Sequence, residues 1–189
     1  KYLSGYSNHI YDDEKKQLQT IIDNKKPFLL YGPSGGGKTT LAKLIAIDLY
    51  KSNKSVAFLD SDPIFDPEIK IKSVSENLIK EHLIMLNLQD QGHRLFDPSE
   101  TEFSRGQLQR IKLGMTLKKG YEVLILDEAL NGVENNLELD IIISLGELTK
   151  KNNVKLIIIS HSKKVFDSEL LGFVKEKVGV DKRFLKKKK

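Results

Sequence analysis

The sequence predicts an α/β fold in which a mainly parallel sheet is flanked by helices. Short apolar segments alternate with amphipathic segments of helical spacing along most of the 189 residues. Two of the segments, residues 123–126 and 155–160, are strongly apolar: the first contains no polar side chain, and the second has only Lys155 and Ser160 at its ends. Strands of that kind are typical of parallel sheets whose two faces are both buried. The length suits one domain, or one core with a small subdomain.

The predicted elements follow one another in a regular order. Apolar residues at helical spacing over 12–23 are followed by a break at Pro27 and a short buried strand at 28–31. Glycines then lead into an amphipathic helix from Thr39 to about Tyr50. The rest of the chain predicts, in order, a strand at 55–59, a loop at 61–72, helices at 73–90 and 105–118, a strand at 123–126, a helix at about 138–151 and a strand at 155–160.

Composition excludes several classes of protein. The chain has no cysteine, so a disulfide scaffold, a zinc ribbon and a cysteine nucleophile are all excluded. No apolar run approaches the roughly 18 residues that a membrane-spanning helix needs. The net charge of +5 suits phosphate-bearing ligands or an anionic membrane surface, but it decides nothing alone. We interpret the basic tail at 186–189 as a solvated end.

A glycine-rich segment after the first strand predicts a phosphate site. Residues 32–39 match G-x-x-x-x-G-K-[ST] between an apolar strand and a helix, a context that argues against an accidental turn. Glycines let backbone N–H groups approach phosphate oxygens, and the helix N-terminus adds partial positive charge. The P-loop NTPase fold is therefore expected, with Lys38 on the phosphates and the Thr39 hydroxyl on Mg²⁺. The predicted nucleotide-binding residues here are Gly32, Pro33, Ser34, Gly35, Gly36, Gly37, Lys38, Thr39 and Thr40.

The buried strand at 123–126 ends in two carboxylates, Asp127 and Glu128. Ligands of open α/β sheets bind at the carboxyl ends of the strands. We therefore expect Asp127 to hold Mg²⁺, directly or through water, and Glu128 to polarise the attacking water or accept its proton. An ordinary acidic turn is the alternative, and the P-loop in the same chain argues against it.

A second segment, residues 103–110, begins a predicted helix with Ser104 as its N-cap. Its N–H groups and hydroxyl make a possible second phosphate-binding surface. From these residues alone, that interpretation and a plain capped helix are equally compatible with the sequence.

At this point the chain resembles the ABC ATPases. Residues 103–110 match five of the seven specified positions of the family signature L-S-G-G-Q-x-Q-R, and the order of P-loop, signature and acidic strand end is the same. The family's S-A-L-D loop corresponds to 131–134, and its γ-phosphate-sensing histidine to His161. Residues 73–78 resemble the T-V-x-E-N-I stretch of exporter cassettes. The resemblance covers about residues 27–165.

The resemblance implies a mechanism that needs two copies of the domain. Each ATP would lie between the P-loop of one subunit and Ser104, Gly106 and Gln107 of the other, with Glu128, His161 and Lys38 as catalytic residues. An upstream aromatic, Tyr11 or alternatively Tyr6, would stack on adenine. The implied organisation is a RecA-like core at about 1–64 and 105–185, a helical subdomain carrying the signature at about 65–104, and the tail at 186–189.

The resemblance also implies partners and a location. The domain would work with a transmembrane domain, fused or separate, at the cytoplasmic face of the cell membrane. The leading expectation is the motor of an exporter of peptides or similar substrates, with no specific nucleic acid as a partner. The alternative is a soluble ABC ATPase acting on DNA or ribosomes. A ring-forming ATPase of the AAA+ class would not explain residues 103–110 or His161.

The chain departs from the family pattern in several places. No glutamine occurs between Lys38 and Asn87, and Ser61, with Asp60 and Asp62 beside it, occupies the position of the Mg²⁺-sensing glutamine. Arg105 replaces the first signature glycine, and Glu134 replaces the aspartate of S-A-L-D. Only 22 residues separate Lys38 from Ser61, so the antiparallel β-subdomain is expected to be reduced or absent.

Overall fold

The computed structural model describes residues 20–62, 80–89, 103–170 and 172–177. Their strands form one five-stranded sheet in the order β2-β3-β4-β1-β5. Every neighbouring pair in it is parallel, which confirms the predicted sheet. The strands are β1 (Phe28–Tyr31), β2 (Val56–Leu59), β3 (Val123–Asp127), β4 (Lys155–Ser160) and β5 (Val174–Lys177).

Five helices accompany the sheet in the described ranges, and residues 20–23 are also helical. They are α1 (Lys38–Lys51), α2 (Lys80–Met85), α3 (Arg105–Lys119), α4 (Asn135–Lys151) and α5 (Lys163–Asp167). Helices α1 and α3 agree with the predicted ranges within one residue. Helix α4 begins three residues earlier than expected, because its first turn contains polar asparagines that the apolar period does not reveal.

The sheet is buried on both faces, which explains why its central strands are mostly apolar. Side chains alternate between the two faces of a strand. In β3, Val123 and Ile125 pack in one core with α1, whereas Leu124 and Leu126 pack in another with residues of α3 and α4. The sequence therefore shows a continuous apolar run instead of an alternating one.

The parallel order places the carboxyl ends of β1, β3 and β4 side by side. Tyr31 of β1 pairs with Ser160 of β4, and Asp127 of β3 pairs with Ile159 of β4. The loops that follow these strands therefore open onto the same edge of the sheet.

Arg110 of α3 forms hydrogen bonds with the residues that follow α2. Its Nη1 donates to the carbonyl oxygens of Leu86 at 2.9 Å and Asn87 at 2.8 Å, just beyond the end of α2. Burial lowers the pKa of this guanidinium. The proposed division into a RecA-like core and a helical subdomain remains a prediction, since most of residues 65–104 lies outside the described part.

Other sequence predictions also fall outside the described residues: Tyr11, Tyr6, residues 73–78 and the tail at 186–189. Within the ranges that the structure describes, no helix is both long and apolar enough to cross a membrane.

Candidate active site

The P-loop connects β1 to α1 in a backbone conformation that depends on glycine. Gly35 has φ 77° and Gly37 has φ 83°, both in the left-handed region that side chains with a Cβ rarely adopt. Gly37 is also the N-cap residue of α1. The loop can therefore turn its N–H groups toward an anion at the start of the helix.

Lys38 is held by the loop it follows. Its side chain is only 4% exposed, and Nζ donates to the carbonyl oxygens of Gly32 and Pro33, both at 2.9 Å. The same Nζ lies 3.7 Å from Oε1 of Glu128. The ammonium group is thus fixed between the P-loop and the end of β3.

Asp127 supplies a buried carboxylate at the end of β3. Burial raises its pKa, while a hydrogen bond from the Thr39 hydroxyl and the nearby lysines oppose that rise. Oδ1 of Asp127 is buried and has no hydrogen-bond partner. An unpartnered carboxylate oxygen beside a hydroxyl group fits the oxygen ligands that Mg²⁺ prefers. Thr39 and Asp127 therefore fit the magnesium role predicted for them.

Glu128 directly follows β3 and contacts the segment after β4 and the loop at 131–134. It has φ 54°, a strained conformation for a residue with a Cβ, and such outliers concentrate at functional sites. Its N–H donates to the carbonyl of Ile159 at 3.0 Å. Its Oε1 lies 3.4 Å from Nδ1 of His161, and its Oε2 accepts a 2.9 Å hydrogen bond from Nδ2 of Asn131.

A cavity of about 450 Å³ opens beside these groups. The cavity is lined by the P-loop, the end of β3 and the segment after β2. The structure therefore brings together residues that lie up to ninety-four positions apart in the sequence. Its walls are formed by Ser34, Gly35, Gly36, Gly37, Lys38, Thr39, Thr40, Asp60, Ser61, Asp127 and Glu128.

The signature residues stand apart from that cavity. Ser104 and Gln107 form a capping box at the start of α3: Ser104 Oγ accepts from the N–H of Gln107, and Gln107 Oε1 accepts from the N–H of Ser104. Gly106 packs against the loop at 131–134, where its missing Cβ leaves room for the carbonyl of Gly132. None of the three lines the cavity of its own chain.

Two residues of the site were missed in the sequence. Asn131, noted only as part of the S-A-L-D region, holds the Glu128 carboxylate. Glu138 of α4 is 7% exposed and accepts a hydrogen bond from Ser160. Burial raises its pKa, and the charge of nearby His161 opposes that rise. Only the position of Glu138 on the apolar side of α4 could have signalled its burial.

Comparisons with known proteins match the chain to a family and to several of its members. Residues 16–131 match the ABC transporter family. The Fe(3+) ions import ATP-binding protein FbpC of Escherichia coli O157:H7 is 27% identical in an alignment 181 positions long, gaps included, that covers 75% of this chain and 51% of the relative. The spermidine/putrescine import ATP-binding protein PotA of Thermotoga maritima is 25% identical in an alignment of 184 positions that covers 80% of this chain and 49% of the relative. The chain thus spans about half the length of these curated relatives.

A solved structure agrees in fold. The putative ABC transporter (ATP-binding protein) from Pyrococcus furiosus superposes with a TM-score of 0.58 at 20% identity, covering 82% of this chain and 84% of that one. The family match spans more than half of the chain and includes the P-loop, the signature and the acidic end of β3. The chain therefore belongs to the ABC transporter family, as one of its ATP-binding domains.

Proposed function

We propose that this domain hydrolyses ATP and drives an ABC transporter, working as a head-to-tail dimer that encloses two ATP molecules. The observation that carries the proposal is the position of Glu128. Its carboxylate lies 3.4 Å from His161 and 3.7 Å from Lys38, at the edge of the cavity that the P-loop lines. A base, a phosphate-binding cation and a histidine thus converge on one point.

The arrangement suits in-line attack of water on the γ-phosphate. The P-loop N–H groups and Lys38 bind the β- and γ-phosphates, which neutralises charge that develops during transfer. Glu128 accepts the proton of the attacking water, and His161 contacts the γ-phosphate from the end of β4. Thr39 and Asp127, with Ser61 in the lining of the same cavity, would hold Mg²⁺, which supplies further positive charge to the phosphates.

The position of the signature residues supports the proposed dimer. Ser104, Gly106 and Gln107 start a helix whose N–H groups suit a phosphate, yet they line no part of their own chain's cavity. A second copy in head-to-tail orientation would bring these residues over the ATP of the first. Ser104, Gly106 and Gln107 would then act on ATP in the other subunit.

We propose a transmembrane domain as the further partner, at the cytoplasmic face of the membrane. Import is favoured over export by the curated relatives, since the names of both FbpC and PotA describe import. The exporter expectation rested on residues 73–78. The two names differ in what is imported, Fe(3+) ions for FbpC and spermidine or putrescine for PotA, and we propose no substrate from them.

The experiment that tests the proposal is light scattering of the Glu128→Gln variant with ATP and Mg²⁺. Without hydrolysis the closed dimer should accumulate, and omitting ATP should return the protein to monomers. Adding Ser104→Arg in the same background should abolish the dimer while ATP binding persists. A Glu128→Gln protein that binds ATP and stays monomeric would contradict the dimer. A wild-type protein that binds no ATP would overturn the whole proposal.

A further inference from the structure

A second cavity of about 450 Å³ lies at the edge of the sheet where β3 and β4 begin. Its lining includes residues 120–122, directly before β3, and residues 152–154, directly before β4. We call it the α3–α4 cavity, after the two helices that end beside it. The phosphate cavity lies at the other edge, where these strands end, and the described linings of the two cavities share no residue. The α3–α4 cavity is therefore a separate space, of a volume typical of small-molecule sites.

One wall of the α3–α4 cavity contains an unsatisfied histidine. His82 of α2 is only 7% exposed, and its Nδ1 is buried without a hydrogen-bond partner. Burial lowers the pKa of His82, against the opposing charge of Glu81, so the ring is neutral at pH 7. An unpaired buried polar atom costs free energy, and its presence in a folded protein needs an explanation. Oδ1 of Asp127 is unpaired in the same way in the phosphate cavity, where Mg²⁺ would be its partner. A ligand in the α3–α4 cavity would supply the partner for His82.

The hydroxyl groups of the lining offer mainly acceptors. Oγ1 of Thr116 and Oγ1 of Thr149 each donate to a main-chain carbonyl of their own helix, at 2.9 and 2.7 Å. Because each hydroxyl proton is already used, the lone pairs of the oxygen are what remain for a ligand. The phenol of Tyr121 and the side-chain amides of Asn152 and Asn153 both donate and accept, so they favour neither kind of partner. The lining therefore suits a ligand that donates hydrogen bonds.

The α3–α4 cavity also lies at the negative ends of two long helices. Helices α3 and α4 have 15 and 17 residues, and their C-cap residues, Gly120 and Asn152, both belong to the lining. A helix carries partial negative charge at its C-terminus. Glu122 adds a carboxylate, which Lys54 partly neutralises from outside the described lining at 2.7 Å. The basic residues in the last turns of both helices are exposed and also lie outside the described lining: Lys118, Lys119, Lys150 and Lys151. The described lining thus contains a carboxylate and no lysine or arginine, which favours a positively charged ligand.

The remaining part of the lining is apolar. It comes from α3, β3, α4 and the residue before β4: Leu117, Leu124, Leu148 and Val154. Apolar walls with a few polar groups are typical of cavities that bind small organic molecules, where the apolar part of the ligand is removed from water.

We propose that the α3–α4 cavity is a second binding site, and that it takes a small organic cation with an apolar ring and a head that only donates hydrogen bonds, such as an amidinium. The head would donate to Nδ1 of His82 and to the hydroxyl oxygens of Thr116 and Thr149, while the ring packs on the leucines. A neutral imidazole accepts at Nδ1 when its proton is on Nε2. This binding does not require ATP in the phosphate cavity, because the described linings do not overlap.

Benzamidine is the probe, and two analogues of the same shape test the charge. Benzamide has a neutral head on the same ring, and benzoate has an anionic one. In an NMR titration of the isotope-labelled protein, benzamidine should shift the amide signals of residues 116–124 and 148–154, with a Kd of about 1 mM, as expected for a one-ring ligand. Benzamide should bind about tenfold more weakly, and benzoate should bind more weakly still. Saturation with ADP and Mg²⁺ should leave the Kd for benzamidine unchanged.

Two variants test the site in opposite ways. His82→Leu removes Nδ1 and keeps an apolar side chain, and it should weaken benzamidine binding about tenfold. Thr116→Trp fills the cavity with an indole ring and should abolish the shifts. Ile84→Ala, a change at a side chain of α2 that is 57% exposed, is the matched control and should bind benzamidine like the wild type. Circular dichroism checks that each variant is folded, and either of the first two decides the question alone.

Several outcomes would overturn the site. A wild type whose signals at 116–124 and 148–154 do not shift at about 10 mM benzamidine would contain no such site. Full affinity in a folded His82→Leu or Thr116→Trp protein would place the probe elsewhere on the surface. Benzamide or benzoate binding as tightly as benzamidine would overturn the preference for a cation.

Discussion

The start of α3 approaches the loop after β3 so closely that a Cβ on Gly106 would lie 2.8 Å from the carbonyl oxygen of Gly132. The obstacle is main chain, which cannot rotate away as a side chain can. We therefore predict that Gly106→Ala destabilises the fold by about 1–3 kcal/mol, despite the better helix propensity of alanine. Urea unfolding measures the difference.

Gly146 of α4 provides the comparison. A Cβ there would lie 2.6 Å from the ring of Phe173, which is the far end of a side chain that can move. Gly146→Ala should thus cost less than Gly106→Ala. If Gly146→Ala destabilised the fold more than Gly106→Ala, the loop at 131–134 would be shown to move aside more easily than the ring of Phe173.

Much of the fold could be predicted from the sequence because the central strands are buried on both faces. The apolar run at 123–126 indicates a strand buried on both faces, and Gly35 and Gly37 mark a loop whose positive φ angles favour glycine. Strand β5 was missed because its sequence VKEK is mostly charged. It pairs with β1 at the edge of the sheet, where continuous apolar side chains are not required.

The contacts around the site were harder to predict, since they join distant parts of the chain. Lys112 and Asp62 are 50 positions apart, and nothing in the spacing around either residue indicates the other. Helical periodicity places Glu138 on the apolar side of α4, but it does not indicate the hydrogen bond with Ser160 of β4. Family motifs identified the groups of the site, and only the fold shows which neighbours hold them.

Asn131 is predicted to orient the carboxylate of Glu128. Its amide donates to Oε2 of Glu128 at 2.9 Å, so Asn131→Ala leaves that oxygen free to turn. Loss of one hydrogen bond to a charged group corresponds to a fall in kcat of about tenfold. The KM for ATP should change little, because Asn131 does not line the phosphate cavity. Steady-state ATPase assays separate the two constants.

The exposed Asn135 at the start of α4 is the control. Asn135→Ala should hydrolyse ATP like the wild type. If Asn131→Ala raised KM and left kcat unchanged, the residue would be acting on nucleotide binding instead of on Glu128.

The buried carboxyl of Glu138 should make the stability of the protein depend on pH. Burial raises the pKa of this carboxyl above its ordinary value of 4.5, against the opposing effects of His161 and Ser160. The folded protein then holds the proton more tightly than the unfolded chain, so the free energy of unfolding falls as pH rises from 4.5 to the folded pKa. Glu138→Gln removes this loss, and its stability relative to the wild type should increase over the same range.

Urea unfolding at about pH 5 and about pH 7 checks this prediction. Glu147 lies exposed on the same helix, so Glu147→Gln should shift both curves alike. A stability difference between Glu138→Gln and the wild type that stays constant with pH would mean that Glu138 titrates normally in the fold.

At alkaline pH, Lys155 should make the free energy of unfolding rise with pH, which is opposite to the effect expected of Glu138. It is the first residue of β4, its Nζ donates to the carbonyl of Asn24 at 2.6 Å, and it lies 5.8 Å from the centre of the Phe28 ring. Burial lowers its pKa from 10.5 to about 8, while the charge of Asp23 works the other way. A neutral amine still donates to Asn24, so losing the proton does not break that hydrogen bond.

Between about pH 8 and pH 10.5 the unfolded chain therefore holds more protons at this position than the folded protein does. The free energy of unfolding should rise with pH over that interval in the wild type. Lys155→Met cannot titrate, so its stability relative to the wild type should be greatest below pH 8 and should fall as the pH increases. Thermal unfolding at several pH values measures the trend, with Lys150→Met on the exposed side of α4 as the matched control. Parallel pH profiles for Lys155→Met and the wild type would contradict the prediction. They would show that the ammonium group stays hydrated at the start of β4 and that burial there destabilises its charged form little.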